Sequence, residues 1–199
     1  MRRSIFTILF IGFSILAVSQ DAKVLFVGNS LTYTNNLPKL FKEEAERLGL
    51  TVATEMLAYP NYAVIDHWED GELQKRIANG SYDFIVVQQG PSSQQEGRVL
   101  LIEAGKLISN LCAQHGCKLA YFMVWPSSSY YHTFSGVIKN HQDAASLNNA
   151  LLCPVGEAWK IKSDEGDFSY YGADGFHPSV KGSRLAARII AQTLLVTKK

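Results

Sequence analysis

Apolar residues along the chain follow two rhythms that alternate with one another. Short runs rich in β-branched and aromatic residues lie at 24–27, 51–57, 84–87, 118–124 and 151–155, and read as strands. The runs VLFV (24–27) and FIVV (84–87) contain no polar alternation, which predicts strands buried on both faces. Between the strands the apolar positions recur at helical spacing. Helices are predicted from Asn36, with Pro38 in the first turn, to Leu48 before Gly49; over 64–78, stopped by Gly80-Ser81; from beyond Gln95 to about Gln114; over 134–150; and, briefly, over 156–162. A last helix begins at Pro178 or Ser179 and carries Leu185, Ala186, Ile189, Ile190 and Leu194 on one stripe. The segments 31–35, 88–95, 126–133 and 164–174 read as loops.

This order of strand and helix, repeated about five times without a linker or an internal repeat, predicts a three-layer α/β/α sandwich around a five-stranded, mostly parallel sheet. In such a sheet the loops at the carboxyl ends of the strands build the ligand site. The stretch KVLFVGNSLT (23–32) then stands out. Its strand ends at Gly28-Asn29-Ser30, which places a serine hydroxyl at a strand's carboxyl end. Gly28 making a turn and Ser30 capping the next segment would explain the same residues.

The beginning of the chain changes the domain reading. Met1-Arg2-Arg3 is basic, 5–16 is apolar and Ala17-Val18-Ser19 is small. That pattern predicts a secretory signal peptide over 1–19, cut before Gln20 and delivering a domain of residues 20–199 to the periplasm or the extracellular space. The apolar run is shorter than the roughly 20 residues of a membrane span; a retained N-terminal anchor is the alternative. The 19 basic residues of the whole chain, less Arg2 and Arg3, leave 17 against 18 acidic ones. With no basic stripe, neither nucleic acid nor an anionic membrane surface is expected as a partner, and no stable membrane insertion is expected once the signal is removed. The three cysteines, Cys112, Cys117 and Cys153, lack metal-ligand spacing. Cys112 and Cys117 could bridge across the Gly116 turn, but three buried or free thiols are the expectation.

A second stretch, Asp174-Gly175-Phe176-His177-Pro178-Ser179, precedes the last helix. A carboxylate three residues before a histidine on one turn can fix the imidazole tautomer and stabilise the imidazolium. An imidazole so held activates a nearby serine as a nucleophile. Asp174 tightening a turn and His177 capping a surface helix is the plainer reading.

Taken together, Ser30 near the start and Asp174-x-x-His177-Pro178 near the end resemble the first and last motifs of the SGNH (GDSL-like) hydrolases, with Asn29 where many members have Asp. Pro154–Trp159 and His177 to Ser183 also resemble bacterial members. The resemblance implies a flavodoxin-like α/β/α fold and a serine esterase without metal or organic cofactor. It assigns Ser30 as nucleophile, His177 as base and Asp174 as its orienting acid. The oxyanion donors it implies are Ser30 N–H, Asn61 N–H at Pro60-Asn61 where members have a glycine, and the Gln88 amide where members often have Asn.

Eight of the twelve tyrosines and tryptophans fall in or beside the carboxyl-end loops: Tyr33, Tyr59, Tyr62, Trp125, Tyr130, Tyr131, Tyr170 and Tyr171. Aromatic faces with polar tips suit sugar rings, which points to a short acyl ester on a carbohydrate, with Tyr33, Tyr62, Trp125 and Tyr131 as candidate substrate contacts. Packing of loop bases accounts for the same residues. Three alternatives stand beside this reading: a lipid acyl hydrolase, a non-catalytic glycan- or ester-binding module, and a flavodoxin-like phosphate or FMN binder using the hydroxyl-rich loop 29–34. His67-Trp68 could line the pocket or simply fill a helix face. His115, His132 and His141 carry no role on sequence grounds.

Overall fold

The computed structural model describes residues 20–196; the predicted signal segment lies outside them. Five strands, β1 (Ala22–Gly28), β2 (Val52–Ala58), β3 (Phe84–Val87), β4 (Lys118–Phe122) and β5 (Leu151–Cys153), form one all-parallel sheet in the order β2-β1-β3-β4-β5. Eight α-helices connect and flank them: α1 (Ser30–Tyr33), α2 (Leu37–Arg47), α3 (Val64–Glu69), α4 (Glu72–Gly80), α5 (Gln95–His115), α6 (Phe134–Leu147), α7 (Val155–Asp164) and α8 (Val180–Leu195).

β1 shows why its sequence lacks polar alternation. Val24 and Phe26 pack toward α2 and α8, while Leu25 and Val27 pack toward α3, α4 and α5, and all four are fully buried. Each face of the strand therefore meets a helical layer, and burial of such side chains contributes on the order of 1.5–3 kcal/mol apiece. The chain goes from β1 to β2 on one side and returns to β3 on the other. The carboxyl ends of β1 and β3 thus flank a topological switch point, where open sheets hold their ligands.

Several boundaries differ from those expected. Residues 30–36 are not an open loop: Asn29 caps α1, its side chain accepting from Leu31 N–H, and a 3₁₀ turn follows over Thr34–Asn36. The helix expected over 64–78 is two helices, because Gly71 takes φ 75° and turns the chain between them. β4 stops at Phe122, where its ladder with β5 ends at Cys153. The three cysteines are free and buried. The thiols of Cys112 and Cys117 hydrogen-bond to each other, which pushes Cys112 up and draws Cys117 down. No helix among the described residues is long and apolar enough to cross a membrane.

Candidate active site

The turn after β1 is held by side chains from three segments. Asn29 Oδ1 accepts from Leu31 N–H at 3.2 Å and from Gln88 Nε2 at 3.0 Å, and Asn29 Nδ2 donates to the Tyr62 carbonyl at 3.0 Å. An aspartate in this place could not make the last bond. Gln88 Oε1 accepts from Asn29 N–H at 3.1 Å and from Thr32 Oγ1 at 2.8 Å. A Cβ on Gly28 would lie 2.5 Å from both Gln88 Oε1 and Thr32 Oγ1, so this network requires glycine there. The Gly28 carbonyl accepts from His67 Nε2 at 2.8 Å and from Tyr59 N–H at 3.1 Å.

That turn presents Ser30 to the loop before α8. His177 Nε2 stands 2.9 Å from Ser30 Oγ, and His177 Nδ1 stands 2.5 Å from Asp174 Oδ2. Asp174 Oδ1 accepts from the N–H groups of Phe176 and His177, each at 2.9 Å. The His177 hydrogen bond first, and then these backbone donors, pull the Asp174 carboxyl down to about 2. The carboxylate is therefore ionised across any ordinary working pH and fixes the imidazole from behind.

The Asp174–His177 turn is itself clamped from outside. Trp125 Nε1 donates to the Phe176 carbonyl at 3.0 Å, Ser128 N–H to the Gly175 carbonyl at 2.8 Å, and Gly172 N–H to the His177 carbonyl at 2.7 Å. Asn35 Nδ2 donates to the Pro178 carbonyl and to Ser183 Oγ, each at 3.0 Å, which ties the segment after Ser30 to the segment after His177. Sequence reasoning gave Trp125 a different role and Asn35 none; a lone Asn in a polar stretch carries no signal of a partner 143 residues away.

A cavity of about 330 Å³ opens beside Ser30, lined among others by Asn61, Tyr62, Gln89, Pro91 and Phe176. Asn61 holds φ 63°, the left-handed conformation that a glycine would take there and that Asn tolerates. Neither Ser30 N–H nor Asn61 N–H donates to an acceptor among the described residues. Four sequence expectations need correcting. Gln88 is buried with its amide committed to Asn29 and Thr32, and it does not line the cavity; Gln89, one residue on, does. Trp125 is fully buried, its ring stacked 3.4 Å from that of Trp159, and cannot touch a substrate. Tyr131 packs edge-on against Phe134 with Lys160 over its ring and lines no cavity at the site, whereas the neighbouring Tyr130 does. Tyr33 is partly exposed and lies outside both cavities at the site. His67 is buried under Tyr59 and Tyr62 and supports the Gly28 carbonyl, and burial lowers its pKa.

The sequence matches no family model, and none of the curated proteins is similar to it. Among solved structures, a protein of Slackia heliotrinireducens assigned to the SGNH hydrolases superposes with a TM-score of 0.73 at 26% identity, over 86% of this chain and 98% of that one. The chain has the α/β/α fold of the SGNH hydrolases. The same SGNH fold is shared with a lipase/acylhydrolase of Enterococcus faecalis (TM-score 0.69, 18% identity, 86% of this chain and 94% of that one). It is also shared with an acetylxylan esterase of Geobacillus stearothermophilus (TM-score 0.67, 13% identity, 89% and 96%). In this SGNH-like fold the carboxyl-end site at β1 and β3 is the place where topology and polar geometry coincide.

Proposed function

We propose that this protein is an SGNH hydrolase, a serine esterase that cleaves a short acyl ester, acetyl first, carried on a carbohydrate, through an acyl-enzyme. The observation that carries the reading is the unbroken chain Ser30 Oγ–His177–Asp174, with contacts of 2.9 and 2.5 Å. His177 Nε2 takes the Ser30 proton as Oγ attacks the ester carbonyl carbon, and Asp174 stabilises the imidazolium that forms. The carbonyl oxygen becomes an oxyanion received by the unpartnered N–H groups of Ser30 and Asn61. Gln89, on the same cavity wall, keeps one amide proton beyond the one it gives Ser92 Oγ and supplies the side-chain donor. Each such donor is typically worth about 10²–10³ in rate. His177 then returns its proton to the departing alcohol, and water, deprotonated by His177, releases the acid.

The restricted cavity beside Ser30 supports a short acyl group. Export follows from the N-terminal basic, apolar and small-residue sequence, so the substrate is placed outside the cytoplasm. The test is release of p-nitrophenol from p-nitrophenyl acetate by residues 20–199 and by Ser30→Ala. Turnover that disappears in Ser30→Ala supports the reading. Equal turnover in both, or none from folded wild-type protein, overturns it.

A further inference from the structure

A second cavity, of about 700 Å³, lies on the other side of the Asp174–His177 turn. Pro91 and Phe176 border both it and the cavity at Ser30, so the two are neighbouring compartments of one cleft. Their positions around the reacting atoms differ in a way that matters chemically. The smaller compartment holds Ser30 and Asn61, where the carbonyl oxygen must settle. The larger one has Asp174 and Phe176 on its wall, the residues that flank His177. The departing alcohol takes its proton from His177 Nε2 at Ser30, and its remainder leaves the smaller compartment across the border that Pro91 and Phe176 share with the larger one.

The wall of the larger compartment has its own chemistry. Tyr130 is 62% exposed on it, without a hydrogen-bond partner for its hydroxyl among the described residues. Around it stand Ser93 and Gln94 from the loop after β3, and His132. The only carboxylate on this wall is Asp174, which is engaged with His177. An exposed aromatic face ringed by neutral hydroxyl and amide groups matches a sugar ring, apolar on its C–H face and hydroxylated at its edge. Its lining includes no lysine or arginine to pair with a phosphate or a carboxylate headgroup.

We propose that this compartment is the alcohol subsite of the esterase and that Tyr130 is its aromatic platform, fixing specificity for a glycosyl rather than a simple alkyl alcohol. The inference rests on the esterase reading and goes beyond it by dividing the cleft into an acyl side and a sugar side. It does not need Trp125 or Tyr131, which are packed inward.

The test compares kcat/KM on partially acetylated xylobiose with that on ethyl acetate, in a pH-stat, for wild type, Tyr130→Ala and Tyr130→Phe. Because Tyr130 is exposed, its truncation leaves the fold intact, and circular dichroism checks this. The disaccharide-to-ethyl selectivity falls about three- to ten-fold in Tyr130→Ala, the range expected for one aromatic contact, and is retained in Tyr130→Phe. The loss appears in KM. Unchanged selectivity in Tyr130→Ala overturns the subsite while leaving the esterase standing, as does a wild-type protein that cleaves ethyl acetate but no sugar ester. Folded wild-type protein that cleaves neither substrate overturns the esterase reading and the subsite with it.

Discussion

Replacing Trp125 by Phe keeps a ring in the stack against Trp159 and removes one donor, the indole N–H that holds the Phe176 carbonyl at 3.0 Å. That carbonyl belongs to the residue just before His177, so the substitution acts on the position of the imidazole. A neutral hydrogen bond contributes about 0.5–1.5 kcal/mol net, and a carbonyl left without its donor costs about 1–3 kcal/mol. The Ser128 and Gly172 bonds to the same turn remain, so the turn stays folded but spends less time with Nε2 aligned on Ser30. At roughly 1 kcal/mol of lost ordering, the aligned population falls about five-fold. The expected result on p-nitrophenyl acetate is therefore a kcat lowered about three- to ten-fold with KM within about two-fold. Trp159→Phe is the control. It trims the other ring of the same stack, but Trp159 Nε1 has no acceptor among the described residues, so melting temperature falls while kcat holds. Equal loss of kcat in both variants, or unchanged kcat in Trp125→Phe, would refute the clamp.

Other consequences follow from the same geometry. Asp174→Asn removes the charge that stabilises the imidazolium, so kcat should fall about 10³–10⁴-fold with little change in KM, measured on p-nitrophenyl acetate. Gly28→Ala drives a methyl against Gln88 Oε1 and Thr32 Oγ1, and should lower both stability, by about 1–3 kcal/mol in urea unfolding, and kcat. His141 is fully buried, donates from Nδ1 to the Val137 carbonyl at 2.8 Å, and is held down to about 4 by burial. Between 6.5 and about 4 the unfolded chain takes up a proton that the folded one refuses, so stability falls on acidification through that window. The loss approaches about 3 kcal/mol, or roughly 6–12 °C in melting temperature. His141→Leu should flatten that part of the melting temperature against pH, and an unchanged slope would contradict it.

The sheet and the two ends of the hydrogen-bonded chain Ser30–His177–Asp174 were legible because each rests on local pattern. VLFV and FIVV lack polar alternation, and Gly28-Asn29-Ser30 and Asp174-x-x-His177 carry their chemistry within a single turn. Residues whose role depends on a distant partner were not legible. Whether Gln88 or Gln89 faces the cavity is decided by the alternation of side chains at the end of β3 and by Asn29 and Thr32, 59 and 56 residues away. Trp125 and Tyr130 both read as loop aromatics. One is taken inward by Trp159 and Phe176, and the other has nothing to cover it. The break at Gly71 is a smaller case, since helical periodicity resumes after it and the pattern runs through the turn.

The most direct test of the account is covalent labelling of residues 20–199 with a fluorophosphonate, which phosphonylates a serine only when a base activates it. Peptide mapping should find one stoichiometric adduct, on Ser30, in the native protein. His177→Ala and urea-unfolded protein should remain unlabelled. A native protein that stays unlabelled, or one labelled at another serine, would contradict Ser30 as the nucleophile.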